Sequence, residues 1–173
     1  MQKPVSLETD RLFLKPMSID EADFILELYN SPNFIRFIGD RNIKSIQDAE
    51  QYILSKFLPQ FERLGYGNFL IQLKSTGQKI GGVGIFEREG LEVQDIGFSF
   101  LPEFEGKGYG FEASKKLLEM SFSAFGLKKI SAITSQENRA SRKLIKKLGF
   151  TYRSTVQLLG DKEELRYYEI EAP

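Results

Sequence analysis

The apolar and polar positions of the chain follow two periods in turn. Arg11-Leu-Phe-Leu-Lys-Pro16 reads as a first strand, stopped where Pro16 removes a backbone donor. Ser18 then caps a helix in which Ala22, Ile25, Leu26 and Tyr29 recur at helical spacing, with Asp20, Glu21 and Asp23 at the positive end of its dipole. Asn30-Ser31-Pro32-Asn33 ends that helix, and a connector with Phe34, Phe37 and Gly39 follows. Ser45 caps a second helix whose apolar series is Ile46, Ala49, Ile53, Phe57, Phe61 and Leu64. Pro59 interrupts the series and predicts a kink or break near Leu58, and Gly65 and Gly67 end the segment.

The pattern then turns to strands. Asn68 to Leu73, Lys79 to Glu87 and Glu92 to Leu101 are joined by Ser75-Thr76-Gly77 and Glu89-Gly90, which predicts an antiparallel meander. From Gly108 to about Phe125 the period is helical again, with Phe111, Ser114, Leu118, Phe122 and Phe125 on one face. Lys129 to Thr134 is a short strand. Asn138 to Leu148 is a helix with Ala140, Leu144 and Leu148 on one stripe and Gly149 beyond its end. Phe150 to Gln157 and Leu165 to Ile170, joined by Gly160-Asp161, close the chain as two strands. A strand–helix–strand unit in the middle requires at least one parallel pairing. The order predicts an α/β mixed sheet rather than a Rossmann fold. With no internal repeat, low-complexity tract or linker, residues 1–173 are expected to form one domain.

Composition narrows the chemistry. No apolar run is long enough to span a bilayer, and Met1-Gln2-Lys3-Pro4 lacks the apolar stretch of a signal peptide, so a cytoplasmic protein without membrane partners is expected. The 24 basic side chains are matched by 24 acidic ones, and no basic excess supports nucleic-acid binding. The chain has neither Cys nor His, which excludes disulfides, thiolate nucleophiles, Cys/His zinc sites and Ser-His-Asp triads. Acid–base work falls to Asp, Glu, Tyr, Lys, Ser, the α-amino group, water or backbone. Such a set suits a reaction that needs positioning and polarisation more than a covalent enzyme intermediate.

One segment carries a specific signal. Asp95-Ile-Gly-Phe-Ser-Phe-Leu-Pro-Glu-Phe-Glu-Gly-Lys-Gly-Tyr-Gly-Phe-Glu-Ala113 runs strand, loop, glycine turn, helix. A helix N-terminus offers unpaired N–H groups and the positive end of a dipole, and glycines remove side chains that would hold a phosphate away. Gly106, Lys107, Gly108, Tyr109 and Gly110 therefore form a candidate anion cradle. A Walker loop is excluded, because no Gly-Lys-Ser/Thr follows a four-residue gap. The dinucleotide fingerprint fails too, because Phe111 stands where its third glycine belongs.

The segment resembles the coenzyme-A pyrophosphate loop of the GNAT superfamily of N-acetyltransferases, whose pattern is Gln/Arg, two residues, Gly, one residue, Gly/Ala. Glu105, Gly108 and Gly110 occupy those positions, the first being a departure. Asn138-Arg-Ala-Ser141 with Lys147-Leu-Gly-Phe150 resembles a later family block, and Leu7-Glu-Thr-Asp-Arg-Leu12 with Lys15-Pro16 resembles the opening of the RimJ/RimL-like branch. The three occur in the family's order, and the resemblance covers nearly the whole chain.

The resemblance implies a mostly antiparallel, splayed sheet flanked by helices, and acetyl transfer from acetyl-CoA, without a metal, to a primary amine in a ternary complex. The acceptor would be a protein N-terminal α-amine or a small amine, and the protein a monomer or homodimer. The pantetheine arm would lie between the strand ending near Leu101 and the strand Lys129 to Thr134, paired with backbone of Phe98, Ser99 and Phe100. Asn138 would touch the arm, although its position equally suits a helix N-cap. Ser141 would hydrogen-bond the leaving thiolate, against the plain reading of a small residue on a first helical turn. Many relatives carry a general-acid Tyr further along this helix; Ile145 stands there instead. Asp95 opens its strand where several relatives carry a catalytic Glu, and is the candidate base, against the plain reading of a strand-edge Asp in solvent; Glu92 is the second candidate. The acceptor side is expected from Phe34 to Lys44 and from the hairpin Val156 to Arg166, with Arg36, Asp40, Arg41 and Asp161. The competing readings are a non-catalytic acyl-CoA-binding regulatory module, favoured by the absent Tyr, and an aminoglycoside-modifying acetyltransferase, against which stands the lack of an acidic cluster in the acceptor segments.

Overall fold

A computed structural model describes residues 5–173; the opening Met1–Pro4 lies outside them. Eight strands form one sheet: β1 (Leu7–Glu8), β2 (Leu12–Pro16), β3 (Asn68–Leu73), β4 (Lys79–Phe86), β5 (Asp95–Phe100), β6 (Lys129–Thr134), β7 (Thr151–Val156) and β8 (Leu165–Glu171). Their order across the sheet is β1-β2-β3-β4-β5-β6-β8-β7. Every neighbouring pair is antiparallel except β5 and β6, which the helix between them forces to run parallel. The parallel pair has a single register position, Asp95 opposite Ser131, beyond which the two strands no longer pair.

The helices are α1 (Ala22–Tyr29), α2 (Pro32–Phe37), α3 (Ile46–Tyr52), α4 (Leu58–Leu64), α5 (Tyr109–Ser123) and α6 (Arg139–Lys147). Ser18 and Glu21 form a capping box at the turn leading into α1. The expected break near Leu58 is a π-helical turn over Ile53–Phe57, after which Pro59 sits in the first turn of α4, where its missing N–H is harmless. Two cores lie on opposite faces of the sheet. Ala113, Leu117 and Leu118 of α5 pack with Val83, Ile85, Ile96 and Ile130 on one face. Ile25, Leu28, Phe34, Ala49 and Ile53 pack with Met17, Leu70 and Leu101 on the other. No helix of the described residues is long and apolar enough to cross a membrane.

Three local expectations are corrected. The connector after Asn30 contains α2, because Pro32, with its preset φ, starts a helix as readily as it ends one. The buried face of α5 is Ala113, Ser114, Leu117, Leu118 and Ser121; small residues let this helix approach the sheet, and Phe111 and Phe122 flank the contact. On α6 the buried residue is Ile145, with Leu144 and Leu148 half-buried beside it and Ala140 exposed.

Candidate active site

The glycine turn closes the α5 end of the gap between β5 and β6. Gly106 and Gly108 have φ of +73° and +85°, a region that side chains with a Cβ rarely adopt, and α5 starts at Tyr109. The N–H groups of residues 106–111 make no hydrogen bond within the described residues. They are the orphan donors of the turn and the first helical residues, with the dipole behind them. Gly110 has a second role. A Cβ there would lie 3.0 Å from Leu144 Cδ2 and 3.4 Å from Phe100 Cε2, so its absence lets α5, α6 and β5 meet.

The N-terminal segment fastens this turn. Glu112, in the first turn of α5, accepts from Thr9 Oγ1 (2.6 Å), Arg11 N (2.9 Å) and Arg11 Nε (2.7 Å). Arg11 also donates to the Lys107 carbonyl at 3.2 Å and lies 4.4 Å over the Tyr109 ring. Burial raises the Glu112 carboxyl, but these hydrogen bonds and the Arg11 charge outweigh it and hold the group below its ordinary value. Thr9 and Arg11, both in the opening motif, are thus parts of the turn about a hundred residues later in the chain. Glu105 accepts from Asn33 Nδ2 at 3.0 Å, tying the turn to α2 as well.

Backbone direction in β5 follows from two bonds. Leu101 N–H donates to Ile80 in β4, and the Gln94 carbonyl accepts from Ser131 in β6. Because successive residues of a strand point their backbone groups to opposite sides, Asp95, Gly97 and Ser99 face β4, while Ile96, Phe98 and Phe100 face β6. Past the Asp95–Ser131 register, Phe98 and Phe100 present N–H and C=O to an open gap. Ser99 instead pairs with Gly82.

A cavity of about 530 Å³ runs from this gap to the face covered by α1, α2 and α3. Asp95 lines it at 1% exposure. It is not the solvent-facing edge residue of the plain reading, because β5 is an interior strand. Arg88 donates to both its oxygens, at 3.0 and 3.2 Å. Burial pushes the Asp95 carboxyl above its ordinary value, and the Arg88 charge and hydrogen bond only partly oppose this. Glu92 is exposed and lies on a separate surface recess with Lys129.

Asn138 and Ser141 also line the cavity. The Asn138 Oδ1 accepts from Ser141 N at 3.1 Å and so caps α6, with its amide nitrogen left over for another partner. Ile145, 1% exposed, forms an apolar stretch of the same wall. Ser135, at the end of β6, lines the cavity at 9% exposure, and its hydroxyl has no partner among the described residues. Such a group loses about 1–3 kcal/mol of solvation unless something else bonds it. Ser135 has no neighbouring motif to mark it in the sequence.

The far wall joins the two expected acceptor segments: Phe34, Phe37, Ile38 and Arg41 from one, Leu158, Asp161 and Leu165 from the other. Arg36 and Asp40 stay outside; Arg36 stacks on Phe37 and Asp40 pairs with Lys44. Sequence reasoning missed Tyr29, Tyr52, Phe57 and Arg88, which complete the wall. Apolar spacing marked Tyr29 and Phe57 only as core, and it did not mark Tyr52 or Arg88 at all.

Residues 11–151 match the family model for the acetyltransferase (GNAT) domain. The uncharacterized N-acetyltransferase YoaA of Bacillus subtilis (strain 168) is 30% identical over 145 residues, covering 83% of this chain and 81% of that protein. Among solved structures, the ribosomal L7/L12 α-N-protein acetyltransferase RimL in complex with coenzyme A superposes with a TM-score of 0.83 at 15% identity, over 96% of this chain and 98% of that one. The spermidine N-acetyltransferase of Vibrio cholerae, in complex with CoA and spermine, gives 0.77 at 19% identity, over 94% and 96%.

Proposed function

The chain belongs to the GNAT acetyltransferase family, and from that premise we propose that it transfers the acetyl group of acetyl-CoA directly to a primary amine in a ternary complex. The observation that carries this reading is the gap between β5 and β6, edged by the free backbone groups of Phe98 and Phe100 and closed by a turn of unpaired N–H groups. The two parts suit the two parts of the donor: a polyamide arm that can pair like a strand, and a pyrophosphate that needs donors. RimL is a ribosomal-protein α-N-acetyltransferase, and the Vibrio enzyme is named for a small polyamine. Both acceptor kinds therefore stay within the reading.

In this reading Gly106, Lys107, Gly108, Tyr109 and Gly110 cradle the pyrophosphate by their backbone. Phe98 and Phe100 pair with the arm, Ser99 supporting them from the β4 side. The Asn138 amide and the Ser135 hydroxyl supply side-chain hydrogen bonds along it. The Phe98 N–H faces the place where negative charge builds on the thioester oxygen, a donor of a kind whose removal typically costs about 3 kcal/mol. The amine attacks the carbonyl carbon, the carbon–sulfur bond breaks, and one proton leaves nitrogen while one reaches the thiolate. Asp95 takes the first through a water, since Arg88 occupies only part of its acceptor capacity and its raised pKa makes it a better base. Ser141 supplies the second or holds the water that does, in a wall where Ile145 offers no proton.

The test is release of free thiol from acetyl-CoA by purified protein against a panel of peptides and small amines. The chain contains no cysteine, so the assay has no background from the protein. Thiol release with stoichiometric N-acetylated product supports the reading. Tight CoA binding with no acceptor consumed supports a binding module instead, the alternative that Ile145 in place of a tyrosine suggests.

A further inference from the structure

The charges on the acceptor wall are not balanced in its enclosed part. Asp95 is held by Arg88, and Glu87 at the margin is held by Arg63 at 2.6 Å. Glu89 and Asp161 stand on the exposed rim with Lys56, where water screens all three. Inside that rim the half-buried Arg41 has no ion-pair or hydrogen-bond partner among the described residues. Beside it is Tyr29, whose ring stacks on Phe34 at 4.1 Å and meets Tyr52 edge-on at 5.6 Å. Among the described residues no acceptor takes the Tyr29 hydroxyl either. Burial, and next the neighbouring Tyr52, push this phenol far up, and the nearby charges of Arg41 and Arg88 oppose that without reversing it. It stays a neutral O–H donor. The enclosed wall thus offers a guanidinium and a phenol as free donors over aromatic rings, and no free carboxylate.

We propose that the acceptor is an amine that also carries an anionic group, and that Arg41 and the Tyr29 hydroxyl receive that anion while the aromatic wall covers an apolar body. This rests on the acetyltransferase reading and names its substrate class. Arg41 provides the planar donor fork that carboxylates pair with. Its charge disfavours a second ammonium and helps the attacking amine stay neutral. A polycationic acceptor would meet uncompensated positive charge here.

The test compares matched acceptors in the presence of acetyl-CoA: phenylalanine against its carboxamide, a peptide with glutamate at its second position against the same peptide with glutamine, and spermidine. The expected result is at least about a tenfold higher kcat/KM for the acid member in one of the two pairs, as a charge-assisted bond provides. The pair that responds tells a small carboxylate from an acidic peptide. Arg41→Gln should reduce that preference below threefold with CoA affinity unchanged, and Tyr29→Phe should reduce it partly. A second readout is independent of turnover: with CoA present, the N-acetylated acid should bind more tightly than its N-acetylated amide by calorimetry. Equal use of acid and amide, a preference surviving Arg41→Gln, preference for spermidine, or equal binding of the two acetylated products would overturn the proposal. Absence of CoA binding would instead overturn the transferase reading beneath it.

Discussion

Asp95→Asn separates the chemistry of the site from its architecture. The change keeps the shape of the side chain and removes its charge, so Arg88 loses its counter-ion. Breaking a fully buried pair in this way costs about 3–5 kcal/mol. Here Asp95 is enclosed, but the Arg88 side chain is 33% exposed, so water recovers part of the loss. A destabilisation of about 1–3 kcal/mol is expected, which in a chain of this length lowers Tm by roughly 3–10 °C. Neither the glycine turn nor the Phe98 edge touches the Asp95 carboxylate, so CoA affinity measured by calorimetry should change less than twofold. Loss of a general base lowers kcat by roughly 10²–10⁴. In the wild type, kcat should fall as pH drops through the Asp95 pKa, which burial sets above the ordinary 3.8, because the base must be ionised to work. That limb should vanish in the variant. A variant that loses stability but keeps kcat within threefold of wild type would refute the catalytic role and leave Asp95 as a structural partner of Arg88.

Other expectations follow from the same geometry. Gly108→Val forces a branched residue to φ +85°, with its Cβ 3.3 Å from Arg11 Nη2; CoA affinity should fall at least about tenfold, whereas unchanged calorimetric affinity would remove the turn from the donor site. Ser135→Ala removes a hydroxyl with no partner in the protein, so Tm should stay within a degree or two or rise, while the KM for acetyl-CoA increases several-fold; a lower Tm with unchanged KM would contradict that role. Ser141→Ala should lower kcat with little change in CoA binding, and a rate equal to wild type would assign the thiolate proton to water alone. Glu112→Gln tests the clamp from Thr9 and Arg11. Because the Glu112 pKa is lowered in the fold, its contribution is present above the ordinary 4.5 and is lost as pH falls through its folded value. The wild type should therefore lose stability over that acidic window, by an amount the exposure of Arg11 keeps small, and the variant's urea-unfolding profile should be flatter there.

Much of this protein was legible in the order of its residues. Asn68 to Leu73 and Lys129 to Thr134 lie where their apolar runs put them, and the one parallel pairing followed from the helix between β5 and β6. Pro59 marked the irregular turn before α4, and Gly106 and Gly108, read in sequence as clearing side chains from a phosphate cradle, take positive φ at the helix start. These features depend on neighbours in the chain: side-chain period, a missing donor, a missing Cβ. The opening Thr9 and Arg11 were visible as a motif, but their purpose was not, because Glu112 is about a hundred residues away. Asp95 was visible as a carboxylate near a cleft, yet its burial and its hold on Arg88 depend on β5 lying inside the sheet and on the chain turning back after β4. Arg41 was named in the sequence as part of an acceptor segment, but Tyr29, Tyr52 and Ser135 carry no site signal there. They share a cavity only because β5 and β6 part after one register position and α1, α2, α3 and the final hairpin close over the opening. Local periods determine elements; the donor gap and the acceptor wall arise from long-range pairing and packing, which no short window of sequence records.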